Sequence, residues 1–501
     1  MTVVLEARED FTLAAFRRVT VDGEDAVFGP AALAVMAASR AGFEQLLHSG
    51  SQGFIYGVTT RPGVEVSTAI PPGDWRSYAS RFRGVGRGFG RDHLDERVAR
   101  GIVFARLADF VGGHAKVRPE LARQVAALLG APLPRLPLDG QTGAGEILPL
   151  MHLMAAIDGD LVEGEGMALI NGSPCATALV CDVALHAEHR LSLAEAIFAL
   201  AIEAYRAPLD AYDKALDELH GDEAERAVLQ HLRGYLDGAS TSARLMHQAP
   251  VSFRILPQVL GQAQRAVQTV KHAATAALGS VTENPVYLAA DADHPSGRVL
   301  SAGGFHNGAA APAMNWLTAA WADLALVAQR QMTAMHGPAS GLPHLLAPAG
   351  FIAGASGGAT NLFGWVATGL VEEARSLASP TLLPASINDS QNDIASPAFG
   401  AYRSQARAAE CLDSVLAILA LVSSQALFVT DRRPAPPLLG LLAGIRSVFP
   451  PVETERPGQG TEAGELADIL HRAALTGRLD FPGYSGLAGS PEPPEPSGTR
   501  P

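Results

Sequence analysis

A chain of 501 residues, 48% hydrophobic, can bury a large core, and its length alone permits two or three domains. The formal net charge of −13, with no Lys/Arg-rich run, argues against a nucleic-acid partner. Aromatics at 6% in an Ala-, Leu- and Gly-rich background suit close-packed helices better than a β-sandwich.

In chain order, residues 1–55 read as short β-prone pieces with a helix over 30–47. The start, Met1 to Arg8, is charged too early for a signal peptide. Tyr56-Gly57-Val58-Thr59-Thr60-Arg61-Pro62-Gly63 is a loop by its glycine and proline content, and Ser80-Arg81-Phe82-Arg83-Gly84-Val85-Gly86 follows it. Helical text covers 104–111 and 120–129. Gly140-Gln141-Thr142-Gly143-Ala144-Gly145-Glu146 then reads as a tight glycine loop feeding an apolar helix. Gly143, Ala144 and Gly145 can form a nest of N–H donors, and Glu146 is expected in the first helical turn, favoured by the dipole.

From residue 176 the pattern is helical. Ser192-Leu193-Ala194-Glu195 has the form of a capping box, and Leu193, Ile197, Leu200 and Tyr205 follow on roughly one face. Met314, Leu317, Trp321 and Leu324 have bundle spacing, which predicts core packing and subunit contact. A long helix is expected over 403–429 and a short one over 465–475. The most apolar run, 415–429, is broken by Ser423, Ser424 and Gln425 and is too short to span a bilayer. Cys175, Cys181 and Cys411 form no CxxC pair, so buried, inert thiols are expected, with no disulfide framework and no metal site. The Pro-Glu-Pro-Pro-Glu-Pro end reads as a disordered tail. The expected division is 1–175, a loop-rich α+β region; 176–480, a helical bundle; and 481–501, the tail. No internal repeat occurs. A soluble cytoplasmic protein, with no membrane partner, is the expectation.

Several of these stretches, in order from residue 56 to 394, resemble the histidine and phenylalanine ammonia-lyase family. Residues 56–63 resemble its mobile lid loop, with Thr59 in place of Asn and Arg61-Pro62 in place of Gly-Phe. Residues 80–86 resemble Ser-His-Ala-Ala-Gly-Val-Gly, with Arg81 where a histidine helps choose the substrate side chain. Gly164-Glu165-Gly166-Met167-Ala168-Leu169-Ile170-Asn171-Gly172 resembles Lys-Glu-Gly-Leu-Ala-Leu-Leu-Asn-Gly. Gln248-Ala249-Pro250-Val251-Ser252-Phe253-Arg254, Thr282-Glu283-Asn284-Pro285 and Ser301-Ala302-Gly303-Gly304-Phe305-His306 match three further motifs. Ser386-Ile387-Asn388-Asp389-Ser390-Gln391-Asn392 looks most like the phenylalanine-lyase segment.

The resemblance implies a mainly α fold built on a long helical bundle, and a homotetramer whose active sites draw on several subunits. It implies Tyr56 as base and Arg254 as the group gripping the substrate carboxylate. Asn284 would add a hydrogen bond, Asn171 would hold the electrophile or substrate, and Phe305 would form an apolar wall. Gln391 and Asn392 would lie near the amino group. A phenol with an ordinary pKa near 10 needs help to act as a base. Arg81 and Arg83 could supply that field, bind a second acidic group, or simply be solvated.

The family's Ala-Ser-Gly tripeptide, which cyclises to the electrophile 4-methylideneimidazol-5-one, does not stand in this loop: Gly143-Ala144-Gly145 carries no serine. Val251 also replaces a tyrosine that aids catalysis. No cofactor is therefore expected, although Gln141-Thr142-Gly143 retains the order that cyclisation needs and could give a methylated analogue. The first expectation is an electrophile-independent carbon–nitrogen lyase, or reverse addition enzyme, on a small amino-acid-like carboxylate. A non-catalytic relative that binds a ligand or partner subunit is the second. A conventional aromatic amino acid ammonia-lyase or aminomutase is the third.

Overall fold

Helices dominate the chain, and their ends follow local chemistry. The computed structural model describes residues 2–82, 92–219, 221–242, 244–245, 247–351, 358–386, 391–482 and 484–487. Helix Leu13–Thr20 begins where the Thr12 hydroxyl accepts from Ala15 N at 3.1 Å. Asp222 does the same for helix Glu223–Tyr235, accepting from Glu225 N at 2.9 Å. Helix Pro30–Ser49 starts on its proline and stops at Gly50, whose φ of 64° is left-handed.

Four long helices follow: Pro174–Tyr205, Leu256–Leu278, Ala310–His336 and Ala398–Val429. Met314, Leu317, Trp321 and Leu324 are all buried, as their spacing predicts. The capping-box reading at Ser192 is corrected, because Ser192 lies inside helix Pro174–Tyr205 and starts nothing. Leu191, Leu193, Ala194 and Ile197 are buried around it, so core packing carries the helix through a locally plausible start. Glu195 instead holds His231 Nδ1 at 3.1 Å.

Length is likewise the wrong argument for residues 415–429. Two helical spans, Glu165–Tyr205 and Ala398–Val429, are long and apolar enough to cross a membrane. Their most apolar windows are 94% and 83% buried within the protein itself, which accounts for that composition. The polar interruption also has a use. Gln425 accepts from Val452 N at 2.8 Å and donates to Leu346 O and Val452 O, pinning two connections to the helix.

Strands are short. Thr2–Leu5 pairs in parallel with Asp25–Phe28, and Val286–Leu288 pairs antiparallel with Arg298–Leu300. Arg478–Phe481 pairs with Tyr484–Leu487, so ordered chain runs past the boundary expected at 480; the Pro-rich remainder lies outside the described residues.

By contacts the chain forms two units that interleave along the sequence. The first comprises Met1–Ala184, Val270–Met314 and Thr381–Arg403; the second comprises Leu185–Thr269, Asn315–Pro380 and Ser404–Pro501. Within the first, Phe43, Leu46 and Leu47 pack with Ile55, Val58, Tyr287 and Val299. That cluster anchors the loop around Tyr56 from both sides. Within the second, Ala322, Ala374 and Cys411 pack together, and Arg190 pairs with buried Asp413 at 2.8 Å. All three cysteines are free and buried, as expected.

Candidate active site

Tyr56 sits between Ile55 and Val58, two residues of the first unit's core, and is itself buried. Its Oη accepts from Gly63 N at 2.9 Å and from Gln391 Nε2 at 3.2 Å. Gln391 Nε2 also donates to Gly63 O at 2.8 Å, so one amide ties the loop to the segment after residue 390. Gly63 has φ +67°, and a Cβ there would lie 3.7 Å from Asn392 Nδ2. Gly57 is required by space as well as by its φ of +68°: a Cβ would fall 2.3 Å from Met167 Cγ. Tyr56, Gln391 and Asn392 are thus brought together, and the loop packs on helix Glu165–Ile170, which leads to Asn171.

The glycine loop is left-handed twice in succession, at Gly145 with φ 70° and Glu146 with φ 54°. A Cβ on Gly145 would meet the Asn171 side-chain amide at 3.1–3.2 Å, so that amide lies flat against the loop. Asn171 is buried, and its Oδ1 finds no hydrogen-bond partner among the described residues. Ala144 is half-buried and Thr142 exposed.

Glu146 corrects its expected role. It precedes helix Ile147–Met154 but makes no cap there. Its carboxylate instead accepts from Cys175 N at 2.6 Å and Ala176 N at 2.8 Å, at the start of helix Pro174–Tyr205. Burial pushes its pKa up to about 7, against the pull of those two N–H donors.

Asn284 is buried, follows Glu283 and precedes a cis peptide to Pro285; its Oδ1 accepts from Ala302 N at 2.9 Å. Behind it lies a cluster that sequence reading did not assign: Arg106, Asp109, Lys116 and Glu283, all buried. Burial raises the Glu283 carboxyl and lowers the Lys116 ammonium. The available signal was Arg106 and Asp109, one helical turn apart inside the otherwise apolar stretch 104–111.

Phe305 is half-buried in the turn after Gly303, and the neighbouring Gly304 packs on Val281, where a Cβ would come 2.9 Å from its carbonyl oxygen. Arg81 is exposed, with its guanidinium carbon 5.3 Å from the centre of the Tyr78 ring. Arg83 lies outside the described residues.

Arg254 belongs to the second unit, whereas the other described candidates belong to the first. It ends the one-turn helix Val251–Arg254, is exposed, and donates from Nε to Ala249 O at 3.0 Å. Its helix is fixed from behind, where Tyr212 Oη donates to Phe253 O at 2.6 Å and Gln331 Nε2 to Ser252 O at 2.9 Å. With Asp210, His247, Gln248 and Gln258 it lines a cleft of about 490 Å³. Among the described residues no group of three or more His, Cys, Asp or Glu could hold a metal ion.

Residues 11–162 and 159–447 match the model of the family described as aromatic amino acid lyase. Histidine ammonia-lyase from Geobacillus thermodenitrificans (strain NG80-2) is 31% identical over 488 residues, covering 89% of this chain and 93% of that one. Histidine ammonia-lyase from Bacillus subtilis (strain 168) is 29% identical, covering 89% and 92%. Two solved structures share the fold. Ergothionase from Treponema denticola has a TM-score of 0.85 at 17% identity, covering 95% of this chain and 100% of that one. Tyrosine aminomutase from Streptomyces globisporus has a TM-score of 0.81 at 23% identity, covering 93% and 96%.

Proposed function

The chain belongs to the aromatic amino acid lyase family, and within it we propose a carbon–nitrogen lyase that works without the methylideneimidazolone electrophile. Membership supports the reaction kind, since relatives matched over most of the chain are ammonia-lyases. The electrophile forms from an Ala-Ser-Gly tripeptide, and the glycine loop at 143–145 does not supply one. Gly143, Ala144 and Gly145 offer no hydroxyl to lose, and Asn171 occupies the space a side chain on Gly145 would need.

The substrate is a small amino-acid-like carboxylate carrying its own good leaving group, such as an activated or quaternary amine. Tyr56 takes the β-proton; the C–H electron pair becomes the new C=C bond, and the C–N pair leaves with the amine. The observation carrying this reading is the pair of N–H donors, from Gly63 and Gln391, on Tyr56 Oη, contacts that hold the phenol oxygen in one place. Arg254 grips the carboxylate with its guanidinium fork and so fixes the orientation of the C–H and C–N bonds that break. It does so from another copy of the chain in a homotetramer. Asn171 and Asn284 add hydrogen bonds, Phe305 an apolar wall, and Arg81 a contact to the distal end of the substrate. Asn392 and Gln391 face the leaving amine.

A second reading, a non-catalytic relative that binds a ligand or partner subunit, is favoured by Val251, which replaces a catalytic tyrosine and stands 56% exposed.

Intact mass of the purified protein is the first test. The unmodified mass is expected; a deficit of two waters would return a conventional ammonia-lyase or aminomutase, built on Thr142, to first place. Turnover of candidate substrates by Tyr56→Phe and Arg254→Ala is expected to fall by roughly 10²-fold or more. Activity unchanged in both would overturn the site assignment, and binding without turnover in the native protein would favour the second reading.

A further inference from the structure

Four charged side chains lie buried in the first unit with no part in the chemistry above. Arg106 spends its guanidinium on backbone: Nη1 donates to Ala168 O at 3.0 Å and Nη2 to Asn171 O at 2.8 Å. The same Nη1 lies 3.3 Å from Glu283 Oε2. Lys116 Nζ donates to Pro285 O at 2.7 Å and lies 3.6 Å from Glu283 Oε1. Asp109 receives Thr282 N at 2.8 Å and Thr282 Oγ1 at 2.8 Å, while Ser173 N donates to that same Oγ1 at 3.0 Å. Gly172 makes room for this arrangement, since a Cβ there would fall 2.8 Å from Arg106 Nη2.

Every one of these contacts falls on Asn171 or Asn284 or on a residue within three positions of one of them. Asn284 is bracketed: Glu283 before it meets both cations, and Pro285 after it carries the Lys116 hydrogen bond. Buried ion pairs are a poor means of gaining stability, because apolar residues of similar volume do as well or better. What the cluster does supply is register between two separate segments, 168–173 and 282–285.

We infer that Arg106 and Lys116 are positioning residues, which act through backbone carbonyls to hold the Asn171 and Asn284 amides at one fixed spacing. The inference rests on the reading that these two amides face the substrate. Removing one charge leaves its partner unpaired and unfolds the site for a trivial reason. The informative variant therefore removes both charges: Lys116→Met with Glu283→Gln leaves Arg106 balanced by Asp109 and takes the donor from Pro285 O. Arg106→Lys keeps the charge but cannot reach Asn171 O and Glu283 together.

The experiment compares these variants with the native protein by thermal melting, by hydrogen exchange over 168–173 and 282–285, and by titration with trans-cinnamate and trans-urocanate. The double variant is expected to melt near the native temperature. Its two segments exchange at least about tenfold faster, and the enoates bind about tenfold more weakly. Arg106→Lys shows the same local loosening. Native exchange in both segments of a stable double variant would overturn the inference, as would loosened segments with unchanged binding. Failure of the native protein to bind either enoate would instead count against the functional reading, with exchange still deciding whether the register is held.

Discussion

Tyr56 and Arg254 are held in opposite ways. Tyr56 is buried, and its hydroxyl is fixed by an amide from a residue 335 positions away. Arg254 is exposed, and its side chain bonds to a carbonyl five residues back. Its backbone is nonetheless rigid, since the Phe253 ring stacks on Tyr205 at 4.4 Å and Tyr212 and Gln331 hold the adjoining carbonyls. One group is built into an interior; the other is a guanidinium fork presented from a firm base. That difference suits a base aligned in advance and a carboxylate clamp that meets its ligand from outside.

The contrast can be broken most decisively at Glu283. Glu283→Leu removes the carboxylate that both Arg106 and Lys116 meet and is expected to cost about 3–5 kcal/mol. Arg254→Ala, in the exposed clamp, is expected to stay within about 0.5 kcal/mol of native. Equal losses in urea unfolding would erase the distinction. Next in size, Gly145→Ala places a side chain at φ 70° against the Asn171 amide, with an expected loss of about 1–2 kcal/mol. An unchanged melting temperature would mean that the loop gives way easily.

Tyr212→Phe tests the clamp's base. Losing the bond to Phe253 O is expected to cost about 1 kcal/mol and to weaken carboxylate binding in titration, while any turnover-limiting proton transfer by Tyr56 is untouched. The smallest effect is a pH dependence in the second unit. The hydrogen bond to Glu195 raises the His231 pKa, against burial. Its contribution is therefore full below about pH 6.5 and lost as pH rises through the raised folded value. His231→Gln should remove that slope from a pH series of unfolding curves. A slope that persists belongs to another group.

Much of this was legible in local signals. The spacing of Met314, Leu317, Trp321 and Leu324 identified a buried helix, and another was readable over 30–47. Glycine and proline marked residues 56–63 as a loop, and two separate motifs singled out Asn171 and Asn284 as candidates. The misreadings share one cause. Ser192 looked like a cap because the signature spans four residues, whereas the packing that overrides it spans the core. Glu146 was assigned to the helix it adjoins, when its carboxylate reaches helix Pro174–Tyr205 instead.

By itself, then, the sequence determined where helices form, where the chain turns, and that Gly143-Ala144-Gly145 carries no serine, because periodicity, glycine chemistry and residue identity are local. Tertiary structure alone decided that Gln391 meets Tyr56, that Asn171 lies on Gly145, and that Arg106 and Lys116 serve Glu283. Those pairings join segments tens to hundreds of residues apart, and a buried charge or amide takes whatever partner the packed core brings within reach.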